Sequence, residues 1–251
     1  MKKYLCIDIG GTAIKYGLVT EKGDISHKET YQAYFDGYKR PLIDTITSSV
    51  NEYHDKLVAD NIVIDGIAAS VTGDVNPKTH YIVDSCGNIP DWRNINLAEK
   101  IFNAIGKEYP FTMLNDANAA ALAEMWIGNA VDFKDAIVYT IGTGIGGGVI
   151  VDGKILNGYK GFGGNIGHMV IADGEDICTC GNHGCFEHLA STRALLRNAK
   201  KAGFDVDGEE IFEKAKSIPE LQAVVDKFFY YHGVAIGSLL HIFNPEAIII
   251  G

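Results

Sequence analysis

The chain has 251 residues, 47% of them apolar, and a formal net charge of −10. That apolar content is enough for a real core, in one large domain or two lobes of ordinary size. The acidic balance repels phosphate backbones and disfavours nucleic acid as a partner, and no apolar run approaches a membrane span.

Met1-Lys2-Lys3 runs directly into a strand pattern, so no signal peptide is expected. Residues 4–9 are apolar, interrupted by Asp8 just before Gly10-Gly11-Thr12, and the pattern resumes over 13–19 and 25–32. With Gly-Gly and Lys22-Gly23-Asp24 as turns, this reads as an antiparallel meander. Leu42, Ile46, Val50 and Leu57 give residues 41–57 a helical stripe, and 62–69 is a nearly continuous apolar strand. Residues 72–96 carry Gly, Pro, Asn and Asp with little periodicity and read as a long, functional loop. A short helix over 97–105 and a strand over 111–114 follow, ending in Asn115-Asp116. The alanine-rich 117–127 is a helix. Residues 136–141 form a strand, 142–148 a glycine-rich turn, and 149–151 a strand again. Helices are expected over 187–202 and 221–243, and a buried strand over 247–250. The two stretches of strand, glycine turn and strand suggest two related lobes.

The densest chemistry lies between residues 168 and 185. His168, Cys178, Cys180 and Cys185 offer three soft thiolates and an imidazole, a tetrahedral Zn²⁺ set with no open position. Such a metal is structural, and its job would be to hold neighbours such as Glu187 in place. Surface thiols or a redox pair are the plainer alternatives. Of the five cysteines, Cys6 and Cys86 are left over; Cys6 reads as a small buried hydrophobe. Reduced thiols without a leader point to the cytoplasm.

Two glycine motifs suit anions. In Asp8-Ile9-Gly10-Gly11-Thr12 the glycines let amides approach a phosphate, Thr12 adds a hydroxyl, and Asp8 can hold Mg²⁺. Lys15 adds positive charge if it points to the same face; a plain hairpin is the other reading. The second motif, Gly142-Thr143-Gly144 and onward to Gly148, matches a dinucleotide fingerprint only weakly. The β-branched Val149, Ile150 and Val151 predict a strand after it and not the helix that fingerprint needs. Its amides and Thr143 can still wrap a phosphate. Asp116 opens a helix, where it is either an N-cap or a carboxylate presented for chemistry.

DIGGT (Asp8 to Thr12), NDANAAALAE (Asn115 to Glu124), IGTGIGGG (Ile141 to Gly148) and CTCGNHGCFE (Cys178 to Glu187) together resemble the ROK family of bacterial sugar kinases and sugar-responsive repressors. The resemblance runs from Tyr4 to Gly251. It implies a two-lobed α/β protein of the actin-like, hexokinase-like ATPase fold. Each lobe would have a mixed sheet flanked by helices, with residues 1–115 as the small lobe, 116–251 as the larger one, and a cleft between them. It implies a kinase for a hexose-type sugar, with MgATP held by Asp8, Gly10, Gly11, Thr12, Lys15, Thr143 and Gly144. Asp116 would accept the proton of the sugar hydroxyl. Gly73, Asn88, Asn115, Asn165, His168 and Glu187 would contact the sugar, with His168 also binding zinc. Dimers are common in the family.

The chain departs from the family pattern in three places. The kinases usually carry a glutamate where Asn165 stands, three residues before the zinc histidine, which points either to a sugar altered at C1 or C2, such as an N-acetylated hexosamine or a β-glucoside, or to weaker binding of free hexose. Val71-Thr72-Gly73 stands where a proline–glycine is common. Asn244 to Gly251 resembles the start of the family's adenosine motif, so a truncated polypeptide with weak nucleotide binding is expected. Two other classes fit less well. A repressor would need a DNA-binding domain ahead of Asp8, where only seven residues stand. A non-catalytic sugar-binding module would have no use for Asp116.

Overall fold

The computed structural model describes residues 1–34, 37–84, 89–174 and 176–251; Cys86 and the expected sugar contact Asn88 lie outside them. The chain divides into two compact units, Met1–Ala119 with Asn157–Phe162, and Ala120–Leu156 with Gly163–Gly251.

In the first unit β1 (Lys3–Ile9), β2 (Ala13–Thr20) and β3 (Ile25–Gln32) form the expected meander. β4 (Gly66–Val71) and β8 (Phe111–Asn115) extend it in parallel, giving the order β3-β2-β1-β4-β8. The helix α1 (Leu42–Ala59) lays Leu42, Ile46, Val50, Tyr53 and Leu57 on one stripe, and all five are buried in the core with Ile7 and Ile67. Each such side chain contributes about 1.5–3 kcal/mol of burial. The helix α2 (Leu97–Ile105) starts where the Asn96 side chain accepts the Glu99 N–H and stops at Gly106 with φ 68°, a left-handed cap suited to glycine.

Two expectations need correction here. The strand foreseen over 62–69 begins only at Gly66, because the Ile62 amide is bonded to Leu57 O behind α1 and Asp65 pairs with Lys3. The stretch 72–96 is not all loop. It contains a small antiparallel sheet of β5 (Asp74–Asn76), β6 (Tyr81–Asp84) and β7 (Ile95–Asn96), strands too short to show a period. Buried Val75, Ile82 and Trp92 anchor it, and the Trp92 indole N–H donates to Thr72 O at 3.0 Å.

In the second unit β9 (Ala136–Ile141), β10 (Ile145–Val151), β11 (Lys154–Ile155) and β12 (Ala247–Ile250) form a sheet of order β11-β10-β9-β12. β9 is antiparallel to β10 and parallel to β12, which repeats the pairing of β1 with β2 and β4. The unit's helices are the greater part of α3 (Asp116–Ile127), then α4 (Phe186–Ala190), α5 (Thr192–Lys201), α6 (Gly208–Ala215) and α7 (Pro219–Phe243). No described helix is long and apolar enough to cross a membrane.

The glycine turn expected over 142–148 is really 142–144, and β10 takes in the remaining glycines. Ile166 lies where a Cβ on Gly147 would be, so a side chain there is excluded by packing, and strand pairing sets the backbone. The helix foreseen over 187–202 breaks at Ser191, whose backbone is extended (φ −75°, ψ 167°) and whose side chain caps α5 through the Ala194 N–H. The helix α6 lies outside the elements expected from the sequence, although Asp207 and Glu210 form a reciprocal capping box at its start.

Candidate active site

In the first unit the β1–β2 turn is closed by the Gly10 N–H on Ala13 O at 3.0 Å, and the amides of Gly11 and Thr12 have no backbone acceptor among the described residues. They are free to meet an anion. Asp8, at the end of β1, accepts from the Ser70 hydroxyl at 3.1 Å and from Lys15 Nζ at 3.4 Å, so Lys15 does point to the Asp8 face. That ion pair is half-exposed and worth under about 1 kcal/mol by itself. Tyr38 donates its hydroxyl to Gly11 O and packs over that glycine. Neither Ser70 nor Tyr38 was foreseen: each reaches the turn from a segment remote in sequence, and no motif marks it.

Asn115 ends β8 and Asp116 begins α3. Asn115 Oδ1 accepts the Ala117 N–H at 3.0 Å, and its Nδ2 donates to Gly73 O at 3.0 Å. One amide thus caps α3 and ties it to Gly73, whose φ of 99° favours glycine. One hydrogen on Nδ2 remains for another acceptor. Asp116 Oδ1 accepts the same Ala117 N–H at 2.8 Å. The Asp116 side chain reaches solvent, yet protein crowds its carboxyl. Desolvation raises its pKa above the ordinary 3.8, the Ala117 N–H opposes that rise, and the negative charge of Asp8 adds to it.

In the second unit the tip of the β9–β10 hairpin is held at three points. The Gly142 N–H bonds Gly144 O at 2.9 Å, the Thr192 N–H bonds Gly142 O at 3.0 Å, and the Ile145 N–H bonds Glu187 Oε2 at 3.0 Å. Gly142 and Thr143 are exposed at this tip. Asn165 is exposed and precedes the 3₁₀ turn Ile166–His168.

His168, Cys178, Cys180 and Cys185 converge, with one donor atom of each within 4.8 Å of all the others. His168 Nδ1 lies 3.5 Å from Cys178 Sγ, and the Cys180 and Cys185 sulfurs are 3.5 Å apart. A tetrahedral ion with Zn–S about 2.3 Å and Zn–N about 2.0 Å has edges of roughly 3.5–3.8 Å; these two edges match, and three thiols and an imidazole this close together suit zinc in donor chemistry. Cys178 Sγ faces Nδ1, which leaves Nε2 for another partner. A tight turn (Gly181 N–H to Cys178 O, 2.9 Å) and the isolated pairs Val170–Cys185 and Ile177–His183 shape the knuckle, and Cys185 leads straight into α4 and Glu187.

An antiparallel hairpin with a parallel neighbour, built twice and each time turning on glycines at its tip, is the architecture of the actin-like, hexokinase-like fold. The family model for the ROK family matches residues 4–251, and the chain belongs to that family. A glucokinase from Thermotoga maritima is 32% identical over 265 residues, covering 99% of this chain and 81% of that protein. A xylose repressor from Caldicellulosiruptor bescii is 29% identical over 263 residues, covering 98% of this chain and 64% of the repressor. Among solved structures, a ROK family glucokinase from Streptomyces griseus in complex with glucose and AMPPNP superposes with a TM-score of 0.79 at 29% identity, covering 99% of this chain and 82% of that one.

Proposed function

We propose that this protein is an ATP-dependent kinase that phosphorylates a hexose, or a hexose derivative, on its primary C6 hydroxyl. Asp116 carries the reading: a carboxylate at the start of α3, kept partly desolvated and near Asp8, in a chain similar to glucokinases. In the proposed reaction the C6 oxygen bonds to the γ-phosphorus as the bond to the β,γ-bridging oxygen breaks. ADP leaves with the electron pair, and the hydroxyl proton passes to Asp116. Phosphoryl transfer has a loose transition state, so placement of the hydroxyl matters more than strong basicity. Gly10, Gly11, Thr12 and Lys15 in residues 1–115, and Thr143 in residues 116–251, would contact the phosphates. Mg²⁺, when held by Asp8, would neutralise phosphate charge. Gly73, Asn88, Asn115, Asn165, His168 and Glu187 would hold the sugar, with zinc on the Cys/His set fixing His168 and Glu187.

The test is a sugar panel with MgATP, following ADP release on glucose, N-acetylmannosamine, N-acetylglucosamine, fructose and a β-glucoside. Turnover on at least one hexose is expected; sugar binding without ADP release on any of them favours the sensor role that the xylose repressor's name suggests. Asn165 should set the ranking within the panel. An amide both donates and accepts, whereas a carboxylate only accepts and favours vicinal hydroxyls. Asn165→Glu should therefore raise kcat/KM for glucose relative to N-acetylated hexosamines by about tenfold, on the order of one hydrogen bond to a charged group. An unchanged ranking removes Asn165 from the specificity argument.

A further inference from the structure

Gly144 is adjacent to the turn tip, where a phosphate role accounts for a glycine by close approach. Its own surroundings give another reason. Gly144 is not among the positive-φ glycines, so its backbone angle does not demand the residue. What a Cβ at 144 would strike is Glu187: the carboxylate oxygen Oε2 sits where that methyl would be, with the Glu187 carboxyl carbon at 2.9 Å. At Gly142 the same construction meets nothing within 4 Å. The two glycines of one turn therefore differ. Gly142 faces open space, as a ligand-facing position would, while Gly144 makes room for an internal partner.

The same Oε2 accepts the Ile145 N–H, and the next helix holds the other side of the turn through the Thr192 N–H on Gly142 O. Glu187 is thus tied directly to the glycine turn on one side and, through Cys185 and Phe186, to the metal knuckle on the other. At its far end α4 is pinned by His232 on α7, whose Nε2 lies 3.0 Å from Ala190 O.

We infer that Gly144 is a positioning residue for Glu187: it seats the carboxylate on the Ile145 amide so that Oε1 faces the sugar, and the sugar carboxylate and the phosphate turn move as one body. This rests on the sugar role proposed for Glu187. A methyl at 144 meets only the far end of a flexible side chain, so Gly144→Ala should fold; it should move the carboxylate and leave the phosphate amides in place.

The experiment measures equilibrium dissociation constants by calorimetry, for glucose or the best sugar of the panel and for the β,γ-imido analogue of ATP. In Gly144→Ala the sugar should bind about tenfold more weakly, with the analogue changed by less than about threefold, the size expected for one displaced hydrogen bond to a charged group. Glu187→Asp withdraws the carboxylate by one methylene. In that background, adding Gly144→Ala should change sugar binding by less than about twofold, a non-additive cycle of the kind contacting residues give. If Gly144→Ala does not fold, the double variant against Glu187→Asp gives the same comparison, and a double variant that also fails to fold overturns the inference. So does weakening of the analogue alone, or strictly additive effects. Sugar binding without ADP release sinks the kinase reading and leaves these constants to decide the inference; no binding of any sugar sinks both.

Discussion

Asp116→Asn should lower kcat by about 10³-fold, the middle of the range for removing a positioned general base and close to 4 kcal/mol of transition-state stabilisation. Sugar KM should move by no more than about threefold, because an Asn Oδ1 can keep the Ala117 N–H that Asp116 Oδ1 takes at 2.8 Å. The pH profile separates loss of a base from loss of a fold. Desolvation holds the Asp116 pKa above its ordinary 3.8, so the acid limb of kcat should lie above that value in the wild type and vanish in the variant. Stability responds to pH in the opposite sense. A carboxyl whose folded pKa is raised binds more protons in the native state across the window between its unfolded and folded values. Stability is therefore lost as pH rises through that window, and at pH 7 the ionised group is a liability. Asn removes it, so the variant should melt at the same temperature as the wild type or above it. Near-wild-type turnover, or a lowered melting temperature with a parallel loss of kcat, would remove Asp116 from the mechanism.

Elements with one unbroken local pattern, periodic or wholly apolar, are legible in the sequence. The β3 strand and α2 match their expected bounds, and β9 and β12 do too, since Ala136–Ile141 is packed on both faces and reads as one apolar run. Errors fall where a tertiary bond overrides a local pattern. Ile62 and Ile64 look like strand because they are apolar, but they pack as a connector under α1. Ser191 interrupts what reads as one helix because its hydroxyl caps the next. The ends of the candidate site were legible for the same reason as the strands: glycines, a Cys-x-Cys and an Asn-Asp pair are local signals. Their couplings were not. That Asn115 spends one amide on both an N-cap and Gly73, that Tyr38 covers Gly11, and that Glu187 leans on residue 144 are contacts between segments 27 to 43 positions apart, and a single sequence carries no trace of them.

Zinc removal should have the second large effect, and it should reach the sugar before the nucleotide. Among its described residues, segment 169–186 contains no regular strand or helix before Phe186, and its backbone is organised by two isolated bridges and a tight turn. Cys178 and Cys185 are 3% and 0% exposed, and burying thiols that close together has no purpose in packing that a smaller apolar residue would not serve. With zinc as the common partner the knuckle is a rigid post; without it, Cys185 no longer fixes where α4 begins. Glu187 then loses its bearing on the Ile145 amide. Chelation, or Cys185→Ser, should lower the melting temperature by about 10 °C, which at about 2–4 °C per kcal/mol for a chain of this size corresponds to a few kcal/mol, well below the full binding energy of a zinc finger because the sheet and α7 remain. Sugar affinity should fall by about 10–100-fold, as for loss of groups that orient a site, while binding of the ATP analogue changes far less, since the β1–β2 turn is built without the knuckle. Metal analysis of the purified protein should give one zinc per chain, lost in Cys185→Ser. Protein that purifies without zinc, and whose melting and sugar affinity ignore chelators, would show that the three thiols and His168 meet for some other reason and that Glu187 is held by the fold alone.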